Sequence, residues 1–259
     1  MNDMLDITFW QLLSAYVFIV ILLVIVRWRK IPREKEILIA SIRMTLQLVL
    51  VGYLLTYVFE NVHVVYSIAI LVVMEVFAVH NIFSRSKLAL SRELKKVIAL
   101  SMVTGTLVTI IYFDFIVIHF SPWYDPRYLI PIAGMIIGNS MTGITLGVSS
   151  LVEGFKSNKH LVESALMLGA TPNVASKKIV NHAFDSAILP TINSMVGMGI
   201  VFLPGMMTGV ILSGASPLDA IKYQIAIMLG VTGSVSLTVI LFLYFGYKTF
   251  FNKEAQMKN

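Results

Sequence analysis

The sequence predicts an all-α polytopic integral membrane protein. Three observations carry that reading: an extreme apolar composition, seven apolar runs of spanning length, and basic residues gathered into alternate loops. Of the 259 residues 57% are hydrophobic and 13% charged, and the mean hydropathy is +0.83; soluble domains carry about 25% charged residues. The runs are Ile7 to Val26, Ile37 to Phe59, Val62 to Phe83, Val97 to Phe120, Tyr128 to Ser149, Ile188 to Leu212 and Ile221 to Tyr247. Each is close to the roughly 20 residues a helix needs to cross a bilayer.

The loops orient the runs. Arg27, Arg29, Lys30, Arg33 and Lys35 stand between runs one and two, and Arg85, Lys87, Arg92, Lys95 and Lys96 between three and four. Lys156, Lys159, Lys177 and Lys178 fall between five and six, and Lys248, Lys253 and Lys258 in the tail. The opposite loops hold only Arg127 and Lys222, beside Asp3, Asp6, Glu60, Asp125 and Asp219. The positive-inside rule then predicts an outer N-terminus and a cytoplasmic C-terminus, as in a multi-pass protein of the cell inner (cytoplasmic) membrane. With Asp3 and Asp6 in place of a basic leader, no cleavable signal is expected. Trp123, Tyr124 and Tyr128 beside Pro122 and Pro126 read as an interfacial aromatic anchor, and the polar tail from Lys248 as frayed.

Several function classes drop out. The net charge of +6 is spread over short loops, so it sets topology and does not point to nucleic acid. Cysteine is absent, which excludes disulfides, thiolate metal sites and cysteine nucleophiles. No G-x4-G-K-[ST] phosphate loop occurs, so the chain cannot itself use ATP by that mechanism. Without metal-spaced histidines or clustered carboxylates at an interface, no membrane enzyme is indicated. With neither a soluble domain nor a tandem repeat in view, residues 1–259 read as one transmembrane domain.

The one long polar interruption runs from Leu151 to Pro190, and its segment 151–187 is expected on the cytoplasmic side, between spans five and six. Leu161, Val162, Ala165, Leu166 and Leu168 recur at helical spacing, with His160, Glu163, Ser164 and Met167 at the other positions, which predicts a short amphipathic helix. Gly169 suits a left-handed C-terminal cap, and Ala170 leads to Thr171 and Pro172 as N-cap and first position of a second helix. That helix carries Ala175, Ile179 and Ala183 on one side. A helix, an elbow and a helix feeding a span can dock on a partner and push.

Polar residues inside apolar runs are costly and are therefore candidates for function. Arg43 and Gln47 share a face of span two; an arginine at mid-membrane costs about 2.5–3.5 kcal/mol, unless it snorkels to the boundary. Glu75 lies deep in span three, with His80 and Asn81 toward its inner end, and a carboxylate with an imidazole suits iron or a divalent ion; the alternative is a hydrogen-bonded structural glutamate. Asp114 and His119, near the outer end of span four, read as solvated. Asn139 sits among Gly134, Gly138, Gly143 and Gly147, small residues that read as helix packing, while Asn139 itself is a candidate for lining a path. Leu203, Pro204 and Gly205 interrupt span six, either as a kink or to expose carbonyls to cargo. Met195, Met198, Met206 and Met207 around it read as gap-filling side chains before a Cu(I) site.

The spacing of Glu163, Ala165, Gly169 and Ile179 resembles the E-A-A, three residues, G, nine residues, I-x-L-P coupling motif of ABC-importer permeases. Ser164 replaces the first alanine, and Asn181 and His182 stand for the leucine and proline. Nearly the whole chain resembles the FetB-like iron-export permease family, with plant aluminium-tolerance permeases as distant relatives, through Ile130 to Met141, Leu168 to Pro172, Leu203 to Gly209 and Ala220 to Ile225. The resemblance implies a permease subunit exporting iron from the cytoplasm. It would bind no cofactor of its own, would form a homodimer in the lipid bilayer, and would carry a cytoplasmic ABC ATPase that holds ATP and Mg. Leu161, Glu163, Ala165, Leu168, Gly169, Ala170, Thr171 and Pro172 would be the coupling residues. Arg43, Gln47, Glu75, Asn139, Pro204, Gly205 and Met206 are the pathway candidates, with Glu75 the candidate metal ligand. Export or import of another metal or small solute is the alternative in the same class. A different class is an ATP-independent secondary transporter or channel, with Arg43 and Glu75 as an ion-coupled pair.

Overall fold

The computed structural model describes residues 7–86 and 90–258; Asp3, Asp6 and Lys87, which enter the charge argument, lie outside them. Among the described residues the ordered elements are helices, with two isolated bridges and no strand. The order is α1 (Phe9–Ala15), α2 (Val17–Trp28), α3 (Glu34–Glu60), α4 (Val64–Arg85), α5 (Arg92–Tyr112) continued by a π-helical turn (Phe113–Ile118), α6 (Pro126–Ser157), α7 (Lys159–Met167), α8 (Pro172–Gly197), α9 (Gly205–Leu212) and α10 (Pro217–Gly246). Among the described residues six segments are long and apolar enough to cross a membrane: Phe9–Trp28, Glu34–Glu60, Val64–Arg85, Arg92–Ile118, Pro126–Ser157 and Pro217–Phe250.

The chain divides into two compact units. The first comprises the residues up to Val62 with Leu212–Ala215. In it the first apolar run is two helices joined at Tyr16, whose hydroxyl hydrogen-bonds the Thr45 hydroxyl of α3. Thr8 and Gln11 form a reciprocal capping box at the start of α1, which satisfies donors that the first helical turn would otherwise leave unpaired.

The second unit, His63–Ile211 with Ser216–Asn259, is built around α6. This helix packs against α4, α5, α8 and α10, and its Ile136, Ile144, Val148 and Leu151 are buried with Ile98, Met102, Val235, Val239 and Phe242. Lipid tails are as apolar as these side chains, so close packing and polar cross-links between helices decide association. The glycines supply the closeness. A methyl placed on Gly143 would lie 2.8 Å from Val235 Cγ1 and 3.4 Å from the Ala187 carbonyl oxygen, and one on Gly147 3.4 Å from Ala187 Cβ. Gly138 faces open space, so the packing account covers only part of that glycine series. Ser140 Oγ and Ser234 Oγ, both fully buried, bond at 2.9 Å between α6 and α10.

Three expectations change. The apolar run Ile188 to Leu212 is not one helix: α8 ends at Gly197, and the chain is irregular over 198–204 before α9 begins. Gly199 takes φ +84° there, and its N–H donates to the Phe202 carbonyl. The break thus starts before Leu203, because a turn that needs positive φ is satisfied at the glycine. Second, the tail is docked and not frayed. Phe250 stacks on Phe155 of α6 at 4.2 Å, Phe251 is buried, and Lys258 Nζ reaches Glu93 Oε2 at 2.6 Å. Polarity signalled solvent, but the two adjacent phenylalanines supply the apolar contact that holds it. Third, Asp114 is not solvated: within the π-helical turn Phe113–Ile118 it is buried at 5% exposure.

Candidate functional site

At one end of the second unit α6, longer than a bilayer's hydrocarbon requires, leads into α7. Its 32 residues span about 48 Å at 1.5 Å each, against a core of about 30 Å. Asn158 closes α6, its side chain donating to the Gly154 carbonyl at 2.9 Å. Nine residues later α7 stops as expected: Gly169 has φ +89°. The Gly169 N–H donates to the Leu166 carbonyl at 2.9 Å, and the Ala170 N–H to the Ala165 carbonyl at 3.0 Å. This is the paired bond pattern of a Schellman cap. Thr171 is the N-cap and Pro172 opens α8, although the Thr171 side chain makes no cap bond.

The elbow is braced from below. A methyl on Gly154 would fall 2.6 Å from Ile179 Cγ2, so the end of α6 and the start of α8 lie in direct contact. Ile179 and Ala183 are buried on that face, and Ala175 packs beside them. The apolar residues of α7 do not form one face, as their spacing predicted. Val162 is buried and Leu166 packs on the core, whereas Leu161 is 70% exposed and Leu168 89% exposed. Met167, expected on the polar side, joins them at 87% exposure. Glu163 sits beside this knob, with Lys159 Nζ 3.8 Å from its Oε1.

A second region lies between α4 and α5, where a groove of about 700 Å³ is lined almost wholly by apolar side chains. Glu75 lines it at 7% exposure. Its Oε1 bonds the buried Thr106 hydroxyl of α5, and its Oε2 has no partner among the described residues. Asp114 lines the same groove, and its Oδ1 likewise has no partner among them. Sequence reasoning missed Thr106 and set Asp114 aside as solvated; a threonine amid the apolar run of α5 was the available signal. His80 also lines the groove, while Asn81 instead donates to Met141 Sδ of α6 at 3.3 Å. No group of three or more His, Asp or Glu side chains able to hold a metal ion occurs among the described residues.

The other candidates are dispersed. Asn139 is exposed on α6 and turns its amide back to the Met135 carbonyl at 2.7 Å. Pro204 and Met206 are partly buried beside the irregular stretch, with Gly205 exposed. The thioethers of Met195 and Met198 accept from Thr232 and Gln224 of α10, at 3.3 and 3.8 Å, which suits the gap-filling role. Arg43 and Gln47 are exposed on α3 in the first unit, four residues apart.

Comparison with known proteins places this architecture. Residues 9–251 match the model of the uncharacterised protein family UPF0014. The "Probable iron export permease protein FetB" of Escherichia coli is 32% identical over 252 residues, 97% of this chain and 95% of that protein. The membrane protein YjkA of Bacillus subtilis is 32% identical over 93% of this chain and 95% of its own length. The Arabidopsis thaliana "Protein ALUMINUM SENSITIVE 3" is 34% identical over 95% of this chain and 88% of its own. No solved structure matches the chain. With a family match over nearly the whole sequence, full-length relatives named as membrane proteins and permeases, and six helices suited to a bilayer, this chain is a multi-span membrane protein of the UPF0014 family.

Proposed function

We propose that the chain is the transmembrane subunit of an ABC transporter that exports iron from the cytoplasm, and that α7 is the helix through which a separate ATPase drives it. One observation carries this reading: the exposed knob of Leu161, Met167 and Leu168 sits on a Schellman elbow, braced where Gly154 meets Ile179. Large apolar side chains left bare outside an apolar run call for a partner. A short helix held stiffly between α6 and α8 passes a push to both. The E. coli relative's name supports iron as cargo and the Arabidopsis name refers to aluminium; both favour a metal.

In this reading residues 1–259 act as one permease domain crossing an inner membrane seven times, with the N-terminus outside. The latter part of α8, the irregular 198–204 and α9 form the sixth crossing. Two copies pair with two ATPase subunits that hold ATP and Mg. Arg43, Gln47, Glu75, Asn139, Pro204, Gly205 and Met206 border the path. Glu75 offers the metal one carboxylate, the remaining ligands coming from the second copy or water.

The absence of cysteine makes single-cysteine tests clean. Ser164→Cys should crosslink to the ATPase, while Glu60→Cys and Ser216→Cys label from outside and Leu90→Cys and Ala165→Cys only from the cytoplasm. Labelling of Ala165→Cys from outside would sink the coupling role. Labelling from the cytoplasm without any crosslink would leave α7 as a helix lying on lipid headgroups, which Lys156, Lys159, Lys177 and Lys178 also suit.

The path has its own test in vesicles. Glu75→Gln is expected to cut metal export about tenfold or more, since it removes the deep carboxylate, and Asn139→Ala to cut it less. Membrane insertion and ATPase binding should hold. Unchanged export in both variants would return the two residues to a structural role.

A further inference from the structure

We propose that the groove between α4 and α5 is a binding site for a lipophilic organic cation, with Glu75 and Asp114 as its counter-charges and the Phe115–Trp123 pair as an aromatic wall. This goes beyond the metal-export reading and does not depend on it.

The groove's volume of about 700 Å³ lies within the roughly 300–1,000 Å³ of drug-sized ligand sites, which are mostly apolar with a few placed polar groups. Its lining carries two carboxylates, one imidazole, and neither lysine nor arginine. Glu75 and Asp114 are each more than nine-tenths buried, and each keeps one carboxylate oxygen unpartnered among the described residues. A buried carboxylate oxygen with no donor is costly, and a cation entering the groove would satisfy it.

Geometry favours an organic cation over a bare metal ion. Glu75 bonds Thr106, and Asp114 lies eight residues farther along the same helical path, which separates the two levels by about 12 Å at 1.5 Å per residue. Metal–oxygen bonds measure about 2.0–2.6 Å, and hard cations take six or more oxygen ligands, so one carboxylate at each level is not a metal site by itself, and no group of three or more ligating side chains occurs among the described residues. An organic cation needs a single countercharge and an apolar bed. At the Asp114 level the bed includes Phe115 and Trp123, whose ring centroids lie 6.2 Å apart, and aromatic faces attract cations. Asp114 also sits in the π-helical turn Phe113–Ile118, a departure from α-helix that is found frequently at functional sites.

The test uses the full-length protein in detergent, with neither ATPase nor metal present, and tetraphenylphosphonium as the probe in equilibrium dialysis against empty micelles. Tetraphenylborate, similar in shape and opposite in charge, is the control. Saturable binding of the phosphonium and none of the borate is expected. Glu75→Gln and Asp114→Asn should each weaken binding about tenfold and the double variant abolish it. Val76→Trp, which places a large side chain in the groove and leaves both carboxylates in place, should also weaken binding, so the site remains testable if a carboxylate variant does not fold. Phosphonium uptake no greater than into empty micelles, equal uptake of the borate, or full binding in a folded double variant or in Val76→Trp would overturn the proposal and leave the groove to lipid acyl chains.

Discussion

Gly169→Val is expected, under the proposed coupling role of α7, to lower ATPase stimulation and metal export about tenfold or more while the membrane bundle stays folded. Gly169 holds φ +89°, where a β-branched residue is a steric outlier. Keeping valine there costs on the order of 1–3 kcal/mol, and about 1.4 kcal/mol already shifts a conformational equilibrium tenfold. The cheaper course is to open the elbow, which breaks the N–H bonds of Gly169 and Ala170 to Leu166 and Ala165 and lets α7 swing away from α8. Nothing lies within 4 Å of an added Cβ at this position, so the loss would come from backbone conformation and not from crowding. Gly169→Asn separates the two causes, because asparagine tolerates the left-handed region. It should retain most of the stimulation. Full stimulation in Gly169→Val would show that the elbow transmits nothing.

Gly105→Leu is expected to have the largest effect on stability, lowering it by about 1–3 kcal/mol or more, as overpacked cores do. A Cβ at Gly105 would stand 3.0 Å from Thr238 Cα and 3.1 Å from Thr238 N. Thr238 Cγ2 is nearer still, but the other two are backbone atoms of α10, so turning the threonine side chain relieves only part of the crowding and the two helices must part. Thr238 is fully buried there. Gly138→Ala is the matched control, since an added methyl meets nothing within 4 Å and alanine is the better helix former by about 1 kcal/mol. Thermal unfolding in detergent should place Gly105→Leu well below the parent and Gly138→Ala at or above it. Equal midpoints for the two variants would mean that α5 and α10 do not depend on this contact.

The two predictions differ in how far the sequence alone reaches. Gly169 was legible because a cap is local: a glycine after an apolar helical stretch, followed by Thr171 and Pro172, specifies the turn whatever else the fold does. Gly105 was not, since nothing near it in sequence reveals that Thr238, more than a hundred residues away, occupies the space a side chain would need.

The same division runs through the molecule. Composition and run length by themselves determined an all-helical membrane protein, and local capping chemistry determined the elbow between α7 and α8, because hydropathy and backbone preference act over a few neighbouring residues. Only the tertiary structure decided which way the side chains of α7 point, with Val162 buried and Leu161 and Leu168 bare, since a helix that meets its own core on one side and open space on the other has apolar residues on both. It alone decided that Asp114 turns inward to share a groove with Glu75, and that the tail docks through Phe250 on Phe155. Burial of a polar group, and the rescue of a polar tail by two aromatic rings, depend on what distant segments bring alongside.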